Sequence, residues 1–187
     1  MDPTSDQWFD ALIEESLPAL LRTAVLLCDR RQADAEDLVH DAVLRALRAR
    51  GQLRVPEAGR AWLFRILTTT HLNRLRTIIR RAETFATDLD AAAFEHALAE
   101  WTPMRDSETR CLAAADHTAV ADAVATLPPN HRAVLLLSDV EGFSQREVSA
   151  ILGVAEGTVA SRLFRARRAL RDRLVGDRMT DRPQAAI

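Results

Sequence analysis

Lysine and tyrosine are absent from this 187-residue chain, glycine occurs six times and cysteine twice. Scarce glycine and abundant Ala, Leu and Arg speak for helices and against sheets. Cys28 and Cys111 form no CxxC pair, and His40, His71, His96, His117 and His131 are scattered. Neither a metal site nor a structural disulfide is expected, and no cofactor is implied. No apolar stretch is long enough to span a bilayer, and the acidic start MDPTSDQWFD lacks the features of a signal peptide. The expectation is a cytoplasmic protein with no membrane insertion. No nucleophile–base pair, phosphate loop or carboxylate constellation stands out, so an enzyme is not expected.

What the chain does have is arginine, in blocks. The net charge is −2, yet ten arginines lie between Arg45 and Arg81 against Glu57 alone. Between Glu83 and Asp122 the sign flips, with nine acids against Arg105 and Arg110. The first 44 residues are acidic as well. Such alternation suggests two surfaces that meet a polyanion, separated by an acidic connector.

The most informative stretch is SQREVSAILGVAEGTVASRLFRARRALRDRL, Ser144 to Leu174. Ser144 with Glu147 forms a capping box, Val148, Ile151 and Leu152 supply an apolar face, and Gly153 suits a left-handed stop. In the next helix Val159, Leu163, Ala166, Leu170 and Leu174 fall on one stripe. The opposite side carries Gly157, Thr158, Ser161, Phe164, Arg165 and Arg168. This is the plan of a helix-turn-helix over 144–163, whose second helix enters the major groove.

Upstream, helices are predicted over about 8–28, 35–50 and 58–81, then 117–125 and 130–138. The first uses Phe9, Leu12, Ile13, Leu17, Leu20, Leu21 and Ala24 as its buried side, with a kink or break at Pro18. The second buries Val39, Val43, Ala46 and Leu47 and lines Asp34, Asp37 and Asp41 along its outer face. The third packs Trp62, Leu63, Ile66, Leu67 and Leu72. Its Thr68-Thr69-Thr70 run is a poor helix interior that needs tertiary support or serves an exposed purpose. The acidic, alanine-rich stretch after it reads as a linker, with a short helix around Ala91 to Glu100. The fold class is all-α, two small helical domains joined by that linker.

DAEDLVHDAVLRAL, AWLFRILTTTHLNRLR and LPPNHRAVLLLSDVEGFSQREVSAILGVAEGTVASRLFRARRAL together resemble the bacterial extracytoplasmic-function (ECF) sigma factors. The resemblance implies region 2 over 8–81, an acidic linker over 82–116, region 4 over 117–175 and a tail over 176–187. It implies RNA polymerase core and promoter DNA as partners and an anti-sigma factor as regulator. By its motifs, Asp34, Glu36, Asp37, Leu38, Val39 and Asp41 would meet the polymerase. Arg60, Arg65, His71, Asn73, Arg74 and Arg76 would serve the −10 element, with the loop from Leu53 to Arg60 holding a splayed base. Glu156, Gly157, Thr158, Ser161, Arg162, Arg165 and Arg168 would serve the −35 element. Phe164 is expected to pack against a neighbouring helix, the alternatives being contact with a thymine methyl group or a polymerase surface. The linker would follow the RNA exit channel. Relatives often carry Ala-Arg-Asn where this chain has Leu67-Thr68-Thr69, Pro at 155 and Lys at 160; the last two are Ala here. A stand-alone DNA-binding regulator and a sequestering protein that no longer starts transcription are the rival readings.

Overall fold

The computed structural model describes residues 3–53, 55–83 and 115–180. Most of the acidic linker, including the helix expected around Ala91 to Glu100, lies outside the described residues, as do Arg54 and the end of the tail. The N-terminal half consists of α1 (Pro3–Leu27), α2 (Gln32–Ala49) and α3 (Gly59–Glu83), with short 3₁₀ turns at Arg50–Gln52 and Pro56–Ala58. The C-terminal half consists of α4 (Ala115–Ala125), α5 (Pro129–Leu135), a π-helical turn (Leu136–Val140), α6 (Gln145–Leu152) and α7 (Glu156–Thr180).

α1 runs through Pro18 without a break. Proline removes one backbone donor, leaving the carbonyl of Glu14 without its helical partner. Both residues are exposed, so water can satisfy that group. The buried stripe of α1 is Phe9, Ser16, Leu20, Thr23, Ala24 and Leu27. Leu17, expected inside, is 42% exposed, because Ser16 and Thr23 take the inward positions. Leu47 of α2 is likewise exposed, and Ala35, Leu38, Ala42 and Ala46 carry the contact instead. Small side chains there bring α2 close to its neighbours.

The threonine run of α3 has tertiary support. Thr68 and Thr70 are buried, and Thr69 alone faces out. Thr68 Oγ1 donates to the Phe64 carbonyl at 2.7 Å, and Thr69 Oγ1 donates to that of Arg65. Back-bonding to the preceding turn is how a helix accommodates these hydroxyls. His71, one residue further, is 6% exposed. Burial, with the positive fields of Arg132, Arg74 and Arg31, holds its imidazole down at about 4.

The two halves share one continuous apolar core. Phe64 of α3 meets Phe143, between the π turn and α6, with ring centroids 5.3 Å apart in an edge-to-face arrangement. The helix-turn-helix forms as its local chemistry dictates. Ser144 and Glu147 exchange both capping-box hydrogen bonds, and Gly153 closes α6 at φ 69°. Ser149 Oγ donates to the Val154 carbonyl at 2.6 Å, fixing the turn. Val148, Ile151, Val159, Leu163 and Ala166 then seal α6 onto α7.

Two stability measurements test this account. A Cβ on Gly153 would meet nothing within 4 Å, so Gly153→Ala costs only its left-handed conformation. Thermal unfolding should show a loss of about 1 kcal/mol; an unchanged midpoint would contradict it. His71 takes up a proton near 6.5 when unfolded but only at about 4 when folded. The unfolded chain therefore binds more protons between those values. This contribution is complete above pH 6.5 and falls away toward pH 4. Between pH 7 and 5 the drop should be on the order of 2 kcal/mol. Denaturant titrations of His71→Gln should show a flatter pH slope, and an identical slope would remove the assignment.

Candidate nucleic-acid interface

α7 presents an exposed stripe along its outer side: Gly157, Ser161, Phe164, Arg165 and Arg168. Residues three and four apart stack on one face, so the stripe follows from sequence spacing and from Val159, Leu163 and Ala166 pointing inward. Thr158 and Arg162 are half-buried at the flank, and Glu156 stands exposed at the first turn. Ser161 Oγ donates to the Thr158 carbonyl at 3.0 Å, which leaves its lone pairs turned outward. Phe164 does not pack against a neighbouring helix; it is 65% exposed in the middle of the arginine stripe. At its spacing from Ser161 and Arg168 it falls on the outer face. Small residues at Gly157 and Ala160 leave the surface around it low.

The back of α7 is anchored. Arg167 grips Asp139 of the π turn with two hydrogen bonds, Nη2 to Oδ1 at 2.6 Å and Nε to Oδ2 at 3.0 Å. The bidentate pair holds the Arg167 proton more tightly than in a free arginine. Desolvation, with Arg162 and Arg165 near, lowers the pKa of His131 below its ordinary value.

The second surface is on α3, and here the candidates divide. Arg65, Asn73 and Arg76 are exposed, and with Thr69 and Arg80 they form one outward ribbon at spacings of four, four, three and four. Arg76 Nη1 donates to Asn73 Oδ1 at 3.0 Å, linking two of its members. The other three are engaged within the protein or buried. Arg74 Nη2 donates to Asp41 Oδ2 at 2.6 Å and to the Asp37 carbonyl at 3.1 Å, tying α3 to α2. His71 is buried, so its ring presents no edge to a base. Arg60 Nη2 donates to Glu141 Oε2 at 2.8 Å and to the Glu141 carbonyl at 3.1 Å. Its guanidinium lies 5.1 Å from the Phe64 ring centroid and 4.5 Å from that of Phe143.

The acidic face of α2 is also smaller than its spacing suggested. Glu36 and Asp37 are exposed, while Asp34 and Asp41 are half-buried. Asp34 pairs with Arg31 at 2.9 Å, and Glu36 accepts from Gln32 at 2.7 Å. The hydrogen bond from Arg74 holds the Asp41 carboxyl below its ordinary pKa. Leu38 and Val39, expected to meet a partner, are buried in the core. They lie on the inner side of α2, turned away from the acids.

Sequence reasoning overlooked Arg22, Thr23, Arg132, Glu141 and Phe143, all at the junction of the halves. Arg132 Nη1 donates to the Leu27 carbonyl at 3.0 Å and to Asp29 Oδ1 at 2.5 Å. Its Nη2 donates to the carbonyls of Leu127, at 3.2 Å, and Ala125. The available signal was Arg132 itself, a charge immediately before the apolar run AVLLL. Glu141 gave no periodic signal.

Two family descriptions match the chain: Sigma-70 region 2 over residues 12–82 and Sigma-70, region 4 over residues 117–170. Among curated relatives, the ECF RNA polymerase sigma factor SigE of Mycolicibacterium smegmatis is 37% identical over 179 residues, covering 92% of this chain. The chain spans 65% of that relative's length. SigM of Mycobacterium tuberculosis is 36% identical over 90% of this chain and 77% of its own length. SigL of the same species is 35% identical over 86% and 85%. Among solved structures, the sigma factor RpoE in complex with the anti-sigma factor NepR from Bartonella quintana superposes with a TM-score of 0.67. It is 26% identical, covering 93% of this chain and 98% of that one. CnrH, in complex with the cytosolic domain of CnrY, gives 0.61 at 25% identity, covering 92% and 96%. With helices, turn and arginine-lined faces arranged as described, the chain belongs to the ECF family of RNA polymerase sigma factors.

Proposed function

We propose that this chain binds RNA polymerase core and directs it to a specific class of promoters, under the control of an anti-sigma protein. The observation that carries the reading is the pair of outward, arginine-bearing helical ribbons on α3 and α7, one in each matched region. Region 4, over 117–175, meets the −35 element with α7. Glu156, Gly157, Thr158, Ser161, Arg162, Arg165 and Arg168 face or flank the groove, and exposed Phe164 adds an apolar contact suited to a thymine methyl group. Region 2, over 8–81, meets the −10 element with Arg65, Asn73 and Arg76. Thr69 and Arg80 lie on the same ribbon. Asp34, Glu36, Asp37 and Asp41 meet a basic helix of the polymerase and steer its approach. Tethering the two regions makes the second contact effectively intramolecular.

On this reading the protein is a specificity subunit and not an enzyme, and it works in the cytoplasm beside the polymerase it recruits. No helix among the described residues is long and apolar enough to cross a membrane. The anti-sigma partner is supported by the relatives solved with one, RpoE with NepR and CnrH with CnrY.

Run-off transcription with purified core polymerase and a genomic promoter library tests the whole proposal. Discrete transcripts are expected, and their complete absence would overturn it. In the same assay Arg165→Ala should weaken −35-dependent initiation by about 1–3 kcal/mol, unequally across −35 sequences. Equal losses on every sequence would make Arg165 a phosphate contact. Asp37→Arg should slow association with core by about tenfold. Its binding to an isolated −35 duplex should stay as in the wild type. Unchanged core association would remove the acids of α2 from the interface.

A further inference from the structure

We infer that Asp139 and Arg167 are positioning residues for −35 discrimination: they fix the rotation of α7 in the major groove without touching DNA themselves. The inference deepens the reading of α7 as the −35 helix and rests on it. On α7, Arg167 comes one residue before Arg168 and so points about 100° round the axis from it. It therefore lies off the outward stripe, and its guanidinium is engaged with the Asp139 carboxylate through two hydrogen bonds.

The rest of the seat under α7 is apolar. Val159, Leu163 and Ala166 are buried, and Leu170, one turn beyond, is half-buried. Contacts of this kind are non-directional: they hold the helix down and leave its rotation soft. A planar guanidinium forked onto a planar carboxylate does set a direction. Side chains that read bases have to be held within about 0.5 Å and 10–20° of their working geometry. Arg165 and Arg168 lie within two residues of Arg167 on the same helix, so any rotation allowed at Arg167 reaches them undiminished.

What the pair supplies is alignment. The Arg167 and Asp139 side chains are 54% and 34% exposed. Ion pairs this accessible add little to stability, because water already serves both charges. The fork is nevertheless close at both points, 2.6 and 3.0 Å. Two-point geometry at a site of small energetic weight is suited to orienting a helix.

Asp139 stands on a firm base. It belongs to the π turn Leu136–Val140, in which Leu136 and Leu137 are buried. Such turns are rare, and they recur at functional sites. Earlier on the same rod, His131 of α5 has its pKa lowered first by burial and then by the charges of Arg162 and Arg165, so it lies near both. Five residues apart, Arg162 and Arg167 point about 140° from each other around α7. The rod formed by α5 and the π turn therefore meets α7 on both flanks, and Asp139 pins one of them.

The test uses the full chain assembled with core polymerase, on promoters that share a −10 element and vary at −35. Asp139→Asn keeps the shape of the carboxylate but neither its charge nor its second acceptor. Arg167→Lys keeps the charge but not the fork. In each, the ratio of initiation on the preferred −35 sequence to that on its single-base variants should fall about fivefold, the lower end of what one base contact discriminates. Helical content and thermal midpoint should stay as in the wild type. The double variant should show no further loss, because the two residues act through one contact. An unchanged ratio in the variants, beside a wild type that discriminates, overturns the inference alone. So does an equal loss of initiation on every −35 sequence, which is what a merely structural role would give. Losses that multiply in the double variant overturn the pairing. A wild type that yields no transcripts at all overturns the sigma-factor reading, and the inference with it.

Discussion

Charges buried on one half of this molecule reach partners on the other. Glu141 is surrounded by donors from α1 and α3, and Arg132 reaches the carbonyl end of α1 and the Asp29 carboxylate. Desolvating an ion without a partner is among the most costly events in folding. These contacts therefore specify one relative placement of the halves, where apolar packing between Phe64 and Phe143 would tolerate several. The buried histidine, the Arg60–Glu141 pair and the positive φ values after Cys28 all lie along this junction.

The outward surfaces have a simpler origin. A helix that commits one side to a core must present the remainder to solvent at the same period. On α7 the buried residues Val159, Leu163 and Ala166 leave Gly157, Ser161, Phe164, Arg165 and Arg168 facing out. On α3 the buried set Leu63, Phe64, Leu67, Thr68, Thr70 and His71 leaves Arg65, Thr69, Asn73, Arg76 and Arg80 facing out. Arginine keeps its charge at any accessible pH, so the response of these ribbons to conditions is governed by salt.

This explains what could be read in advance. The capping box, the Gly153 stop and the α7 stripe are local, and each was legible because the residues that decide it lie within a few positions. The all-helical class followed for the same reason. The −10 candidates divided because periodicity alone does not say which side of α3 the second region covers. Arg60 and Arg74 have the same chemistry as neighbours that face out, and only Glu141 and Asp41 tie them to the protein, while His71 is buried in the core. Leu38 and Val39 were misplaced by adjacency: lying beside the acids in sequence puts them roughly a third of a turn or more away in space. Leu17 and Leu47 show the converse, large apolar residues left outside because serine, threonine and alanine fit the close helix contacts better.

The π-helical turn between α5 and α6 has a consequence for how this protein can vary. A π turn holds one more residue than the α turn it replaces, and each residue carries the chain about 100° around the axis. Leu136–Val140 thus sets the phase at which Glu141 and Phe143 leave the helix, while Asp139 within it meets Arg167. Trimming one residue there would swing all three out of register together, with no change of composition. Length in this short segment is therefore as much a part of the junction's specification as the identity of the side chains it aims.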